Sequence, residues 1–197
     1  MKYNNIRANT GAGYAGKNTR AGVPVWAGQD LPGHQTGLRK MDAKALWKFT
    51  VAFYGRPGVA PVCLDLQEKC GLDVNLLLFL AWLGLQEKAP HSISALEAAV
   101  RDWRENVILP LRTLRRHMRE NPRDTVQSLR DQIKKDELAA ERIEQELLCE
   151  AVETIPAGHD KTAPLRAYLS PTRFNLDQDE CNDALKTLIG HLARVEI

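Results

Sequence analysis

Residues 74–85 are apolar almost all the way round a helical wheel, with one amide, Asn75, near the start. A helix that is apolar on every side is buried on every side. The run is shorter than the roughly 20 apolar residues that cross a bilayer. It therefore predicts the central helix of a soluble helical domain, capped by Asp73 and running to about Gln86, and the remaining segments read as its cover.

Those segments carry the one-sided pattern of covering helices. Asp42 is an N-cap residue ahead of a stripe at Leu46, Phe49 and Phe53, with Trp47 and Tyr54 beside it. Arg56, Pro57 and Gly58 break that helix. A second helix presents Val59, Val62, Cys63, Leu66 and Cys70 on one face and stops at Gly71. Ser92 or Ser94 caps a long fourth helix with a seam at Leu96, Val100, Trp103, Val107, Leu111, Leu114 and Met118. Pro110 is expected to kink it or split it near Asn106. After Asn121 and Pro122, a fifth long helix over 124–153 is marked by Val126, Leu129, Ile133, Ala140, Ile143, Leu147 and Ala151, and is expected antiparallel to the fourth. Residues 154–175, with Pro156, Pro164 and Pro171, read as a loop. A last helix, about 177–194, uses Cys181, Leu185, Leu188, Leu192 and Val195. No strand signal competes. The expected fold is an all-α bundle of five or six helices around the buried 73–86 helix.

Residues 1–40 show no sustained period and are rich in Gly, Asn and Thr, so they read as a disordered tail. They hold six basic residues and one acidic one, a net charge of +5, against −3 for residues 41–197. The expected organisation is this basic tail followed by a single helical domain over 41–197, with Met41 as an alternative start. Gly11, Gly13, Gly16 and Lys17 match the spacing of a phosphate-binding loop. However, no strand precedes them, Asn18 stands where a magnesium-holding Ser or Thr belongs, and the match reads as chance.

Several short phrases are distinctive in combination: Leu46-Trp47-x-Phe49, Tyr54-x-x-Pro57-Gly58-Val59, Cys63-Leu64-x-Leu66-Gln67, Val74 to Phe79, and Trp103-Arg104-x-x-Val107-x-x-Pro110-Leu111-Arg112-x-Leu114-Arg115-Arg116. Over residues 42 to about 155 they resemble a bacterial family of uncharacterised hypothetical proteins, a domain of unknown function. The resemblance implies an intracellular bacterial protein and supplies no reaction.

Chemistry-bearing residues are sparse. The four cysteines form no CxxC pair and read as reduced thiols in a cytoplasmic protein. His34, His91, His117, His159 and His191 are scattered without metal-ligand spacing, so no metal and no cofactor are expected. Trp47, Trp82 and Trp103 read as core packing. No catalytic triad or paired-carboxylate motif stands out.

Two groupings remain. Asn75, an amide in a buried helix, must be hydrogen-bonded. It either orients a ligand or bonds internally, with Gln67 as the named partner. Tyr54, Arg56, Asn75, Trp103 and Arg104 are the types that line an apolar ligand pocket. Arg101, Arg104, Arg112, Arg115 and Arg119 fall on one face if Pro110 leaves the helix in phase. That face would hold an acidic protein partner, or less favourably nucleic acid, or would be neutralised by Asp136, Glu137, Glu141, Glu144 and Glu146 of the fifth helix. The leading expectation is a non-enzymatic macromolecular binding or adaptor protein that uses Arg101, Arg112, Arg115 and Arg119. The alternative is a small-ligand pocket, with or without catalysis.

Overall fold

The computed structural model describes residues 41–195 and is all-α apart from one small ribbon. Helix α1 (Ala43–Tyr54) starts where Asp42 Oδ1 accepts from the Lys44 and Ala45 amides, at 2.9 and 3.2 Å. Its buried side holds Leu46, Thr50 and Phe53. Gly58 and Gly71, with φ of 85° and 68°, bracket α2 (Val59–Cys70), and Gly71 supplies the left-handed cap expected of it.

Helix α3 (Val74–Leu85) is the buried centre, with every residue from Asn75 to Leu85 out of solvent. Asp73 Oδ1 caps it by accepting from the Asn75 and Leu76 amides. Gly84 is where the cover comes closest: a Cβ there would lie 1.9 Å from the Lys161 carbonyl oxygen.

Two expectations for the cover are corrected. Lys88–Pro90 (β1) and Thr154–Pro156 (β2) pair antiparallel, with Ala89 opposite Ile155. Strands of three residues are too short to show alternation, and each ends on a proline, which removes a donor from the ladder. Residues 154–175 are also not a loop. They form β2, α7 (Ala163–Tyr168) and α8 (Pro171–Phe174), with Pro164 and Pro171 in first turns, where a missing N–H costs nothing. Pro164, Leu165, Tyr168 and Leu169 are buried, the last three within the main core. Helix α9 (Gln178–Leu192) buries Cys181, Leu185, Leu188 and Leu192 as expected.

The fourth helix is also corrected. It is α4 (Ile93–Trp103), a π-helical turn over Arg104–Ile108, and α5 (Leu109–His117) with Pro110 in its first turn. The Leu109 amide reaches back five residues to the Arg104 carbonyl. One extra residue in the turn rotates the downstream helix by roughly 100°, one residue's turn on an α-helix. The inward positions after Val100 are therefore Ile108 and Arg112. Leu114 of the expected seam is 48% exposed instead.

Helix α6 (Asp124–Ala151) runs antiparallel to α5. Its buried stripe is Ile133, Glu137, Ala140, Glu144 and Leu148, with Gln145 and Cys149 alongside. The expected Leu129 and Ile143 are exposed, because polar residues occupy part of the inward face. The expectations for residues 1–40, including the glycine-rich phosphate-loop match, lie outside the described residues.

Gly84→Ala is expected to lower stability by about 1–3 kcal/mol, because overpacking against backbone outweighs the helix propensity of alanine. A chemical denaturation curve for the two proteins checks this; equal midpoints would contradict the close approach.

Candidate functional site

Helices α1, α2, α5 and α6, with the start of α3, surround a cleft of about 600 Å³. Trp47, Val51, Leu64, Leu78 and Leu138 supply its apolar surface, and Val51, Leu64 and Leu138 remain 56, 44 and 51% exposed at its edge. Thr50, Asp73 and Asn75 lie at its base.

A polar network is sealed beneath that base. Asn75 Nδ2 donates to Glu144 Oε2, and Gln145 Nε2 donates to Thr50 Oγ1 at 2.9 Å and to Asn75 Oδ1 at 3.4 Å. The predicted Gln67–Asn75 bond is replaced by these contacts. The reason is one of register: α6, not α2, presents polar side chains to the amide.

Glu144 and Gln145 are both fully buried. Burial, followed by the negative charge of Asp73, pushes the Glu144 carboxyl up to about 9, so the group is a neutral acid at pH 7. Its Oε1 meets no donor.

Arg104, on the π turn, closes this end. Its Nη2 donates to the Gly71 carbonyl at 2.8 Å, and its Nη1 lies 3.7 Å from Asp73 Oδ2. It thus serves the carbonyl end of α2 and the carboxylate that caps α3 together.

On the other wall an ion-pair ladder joins α5 to α6. Arg112 is buried with all three guanidinium nitrogens engaged: Nε to Glu137 at 2.9 Å, Nη1 to Gln67 at 2.7 Å and Nη2 to Glu141 at 2.7 Å. Arg115 also bonds Glu137, and Arg116 bonds Glu68 of α2 at 3.0 Å. Burial alone would raise the Glu137 carboxyl, but the hydrogen bonds from Arg115 and Arg112 outweigh it and hold the group low. Glu141 has less help, and burial raises it. Tyr54, half-buried in the same wall, is raised mainly by burial as well.

The residues singled out in the sequence fall into separate places. Tyr54, Asn75 and Arg104 line the cleft together, as do Arg112, Arg115 and Arg119. Arg56 lies elsewhere: its Nη1 donates to the His191 carbonyl at 2.7 Å, near the end of α9. Trp103 is held by a 3.0 Å bond from Nε1 to the Ala140 carbonyl. Arg101 is exposed on α4 and is not part of the cleft. Sequence reasoning misses Gln145, Thr50 and Tyr168, whose hydroxyl accepts from the Asp73 amide at 3.2 Å. Gln145 is detectable in principle, since it lies one residue from Glu144 on the face opposed to Asn75. Tyr168 lies in a segment whose prolines read as loop. Among the described residues no cluster of His, Cys, Asp and Glu has the makings of a metal site.

Residues 45–148 match the model of a family described as protein of unknown function, DUF2390. The chain belongs to this family. The DUF2390 match includes every residue that lines the cleft, whereas β2 and α7 to α9 lie beyond it. No curated protein and no solved structure matches the chain. Among the described residues, no helix is long and apolar enough to cross a membrane.

The buried groups give two testable outcomes. Replacing Arg112 by Met strips Glu137 and Glu141 of a buried countercharge and is expected to cost about 3–5 kcal/mol in urea unfolding; a loss below about 1 kcal/mol would show the ladder to be dispensable. Glu144, raised in the folded state, binds its proton more tightly there than in the unfolded chain. Its contribution to stability is therefore complete below about pH 4.5 and declines as pH rises through about 9. Glu144→Gln keeps an acceptor for the Asn75 amide without a titrating proton, and should flatten that decline in melting temperature between pH 5 and 9. Glu141 is present in both proteins, so parallel pH profiles would sink the assignment.

Proposed function

We propose that this DUF2390 protein is a binding protein whose cleft between α1, α2, α5 and α6 takes a small ligand. The observation that carries this reading is the convergence of Tyr54, Asn75 and Arg104 on one concave surface, beside exposed apolar Val51, Leu64 and Leu138. Apolar walls with a few fixed polar groups, in a volume of this size, are the ordinary make-up of a small-molecule site. Asn75 and Arg104 are already held by internal partners, so this part of the site is built before any ligand arrives, which favours binding by reducing the ordering cost.

The rival reading, an acidic macromolecular partner on the arginine face, has less support. Arg112 and Arg115 are engaged by Glu137 and Glu141, and the π turn separates Arg101 from the others. Exposed Arg101 and Arg119 are what remain to it. Four cysteines held as free thiols, three of them buried, support a reducing compartment such as the bacterial cytoplasm. Nothing in the cleft calls for a bond-breaking step, and the reading is non-enzymatic.

The test is a small-molecule thermal-shift screen on the full chain and on a Val51→Trp/Leu138→Trp variant that closes the mouth. Ligands should raise the melting temperature of the wild type, as selective binding to the folded state requires. The same ligands should leave the closed variant unmoved. Hits that shift both proteins equally, or no hits at all, would overturn the cleft.

A further inference from the structure

The ladder between α5 and α6 has a regular step. Arg112 faces Glu141 and Arg115 faces Glu137, moving three residues along one helix and four back along the other. Beyond the ladder stand Arg119, in the turn after α5 ends at His117, and Lys134 of α6. Both line the cleft, and both are exposed. Among the described residues neither side chain has an ion-pair or hydrogen-bond partner. The carboxylates that line the cleft with them are committed: Glu137 to Arg112 and Arg115, Glu141 to Arg112, Glu68 to Arg116 and Asp73 to Arg104. A ladder of paired charges thus ends in two unneutralised cations at the mouth of a cavity. The same cleft is lined by exposed Leu138, four residues on from Lys134 along α6, and by exposed Leu64 and Val51 from two other helices.

Resting on the reading of the cleft as a ligand site, we propose that its ligand is a small apolar acid. Its carboxylate sits between Arg119 and Lys134, and its hydrocarbon body lies against Val51, Leu64 and Leu138. Two like charges lining one cleft repel, and an anion bound between them relieves that repulsion while gaining two charge-assisted hydrogen bonds. A small molecule is the better occupant than an acidic peptide. The apolar edge is only three side chains from three helices around a cavity, not a strip with the area of a protein interface.

Lys134→Glu tests this by reversing one of the two charges at an exposed position of α6. Without ligand this variant should melt close to the wild-type temperature, since the position is exposed, so loss of folding does not confuse the result. Decanoate titrated calorimetrically into the full chain should bind the wild type and Lys134→Arg alike. It should bind Lys134→Glu and Arg119→Gln at least tenfold more weakly. Decanol, the neutral counterpart, should bind all four proteins equally. If decanoate and decanol both bind every variant equally, the cleft stands as a ligand site but its headgroup is not held by these two cations, and the proposal fails. Absence of decanoate binding to the wild type overturns it too, with the cleft itself judged separately by the closed-mouth screen. A wild-type dimer in sedimentation that Lys134→Glu dissolves, with decanoate bound by neither, would assign the mouth to a second copy of the chain and overturn the proposal.

Discussion

A helix with no side facing water dictates what its neighbours must supply. Every residue of α3 from Asn75 to Leu85 is buried, so each flank needs an apolar cover, and the single amide needs polar partners brought to it in the interior. The cover comes from α1, α6 and α7, close enough at Gly84 that no side chain fits. The polar partners come from α6. Glu144 and Gln145 take up positions on its inward face that would otherwise be apolar, and Thr50 of α1 completes the set. An inward face bearing carboxyls can be closed only by neutralising them. Glu144 does so by keeping its proton, Glu137 and Glu141 by meeting Arg112. The chemistry at the base and wall of the cleft therefore originates in one buried amide and the helix that answers it.

Arg112 reaches that position because of a local irregularity. In a continuous α-helix from Ile93, Leu111 and Leu114 would continue the seam of Leu96, Val100 and Trp103. Pro110 makes regular hydrogen bonding to Asn106 impossible, and the widened turn over Arg104–Ile108 absorbs the fault. The phase shift turns Ile108 and Arg112 inward and leaves Leu114 in water. The same turn places Arg104 against Gly71 and Asp73. One proline thus both inserts a charge between α5 and α6 and aims a second at the cap of the central helix.

The parts of this architecture legible in the sequence are those set by local rules. The caps at Asp42 and Asp73, the stop at Gly71, the wholly buried run and the α9 stripe all depend on residues adjacent in the chain. The features that escape a sequence reading depend on neighbours distant in the chain. The inward face of α6 cannot be read from apolar spacing when Glu137, Glu144 and Gln145 share it, since a buried carboxylate is recognisable only once its arginine or its proton is known. The phase beyond Pro110 depends on whether the fault is taken as a kink, a break or an added residue, and these rotate the downstream residues differently. The β1–β2 ribbon joins segments distant in the chain through strands too short for any period. At the site, residue type alone groups Tyr54, Asn75 and Arg104, and all three do line the cleft. Arg56 and Trp103 do not join them, because their hydrogen-bonding groups are taken by backbone carbonyls of α9 and α6.

Charge pairing along α5 separates structural arginines from available ones. Arg112 has three acceptors and little solvent, so it is part of the scaffold; removing it would leave carboxylates buried without a countercharge. Arg115 and Arg116 hold Glu137 and Glu68 at increasing exposure, where an ion pair contributes progressively less. Arg119, in the turn past the end of α5, has no ion-pair partner among the described residues. The sequence shows a run of similar arginines, but burial grades them from clasp to free cation between Arg112 and Arg119. Since the free end of that gradient opens on the apolar edge of the cleft, the unneutralised charge lies where a ligand can reach it and the scaffold does not need it.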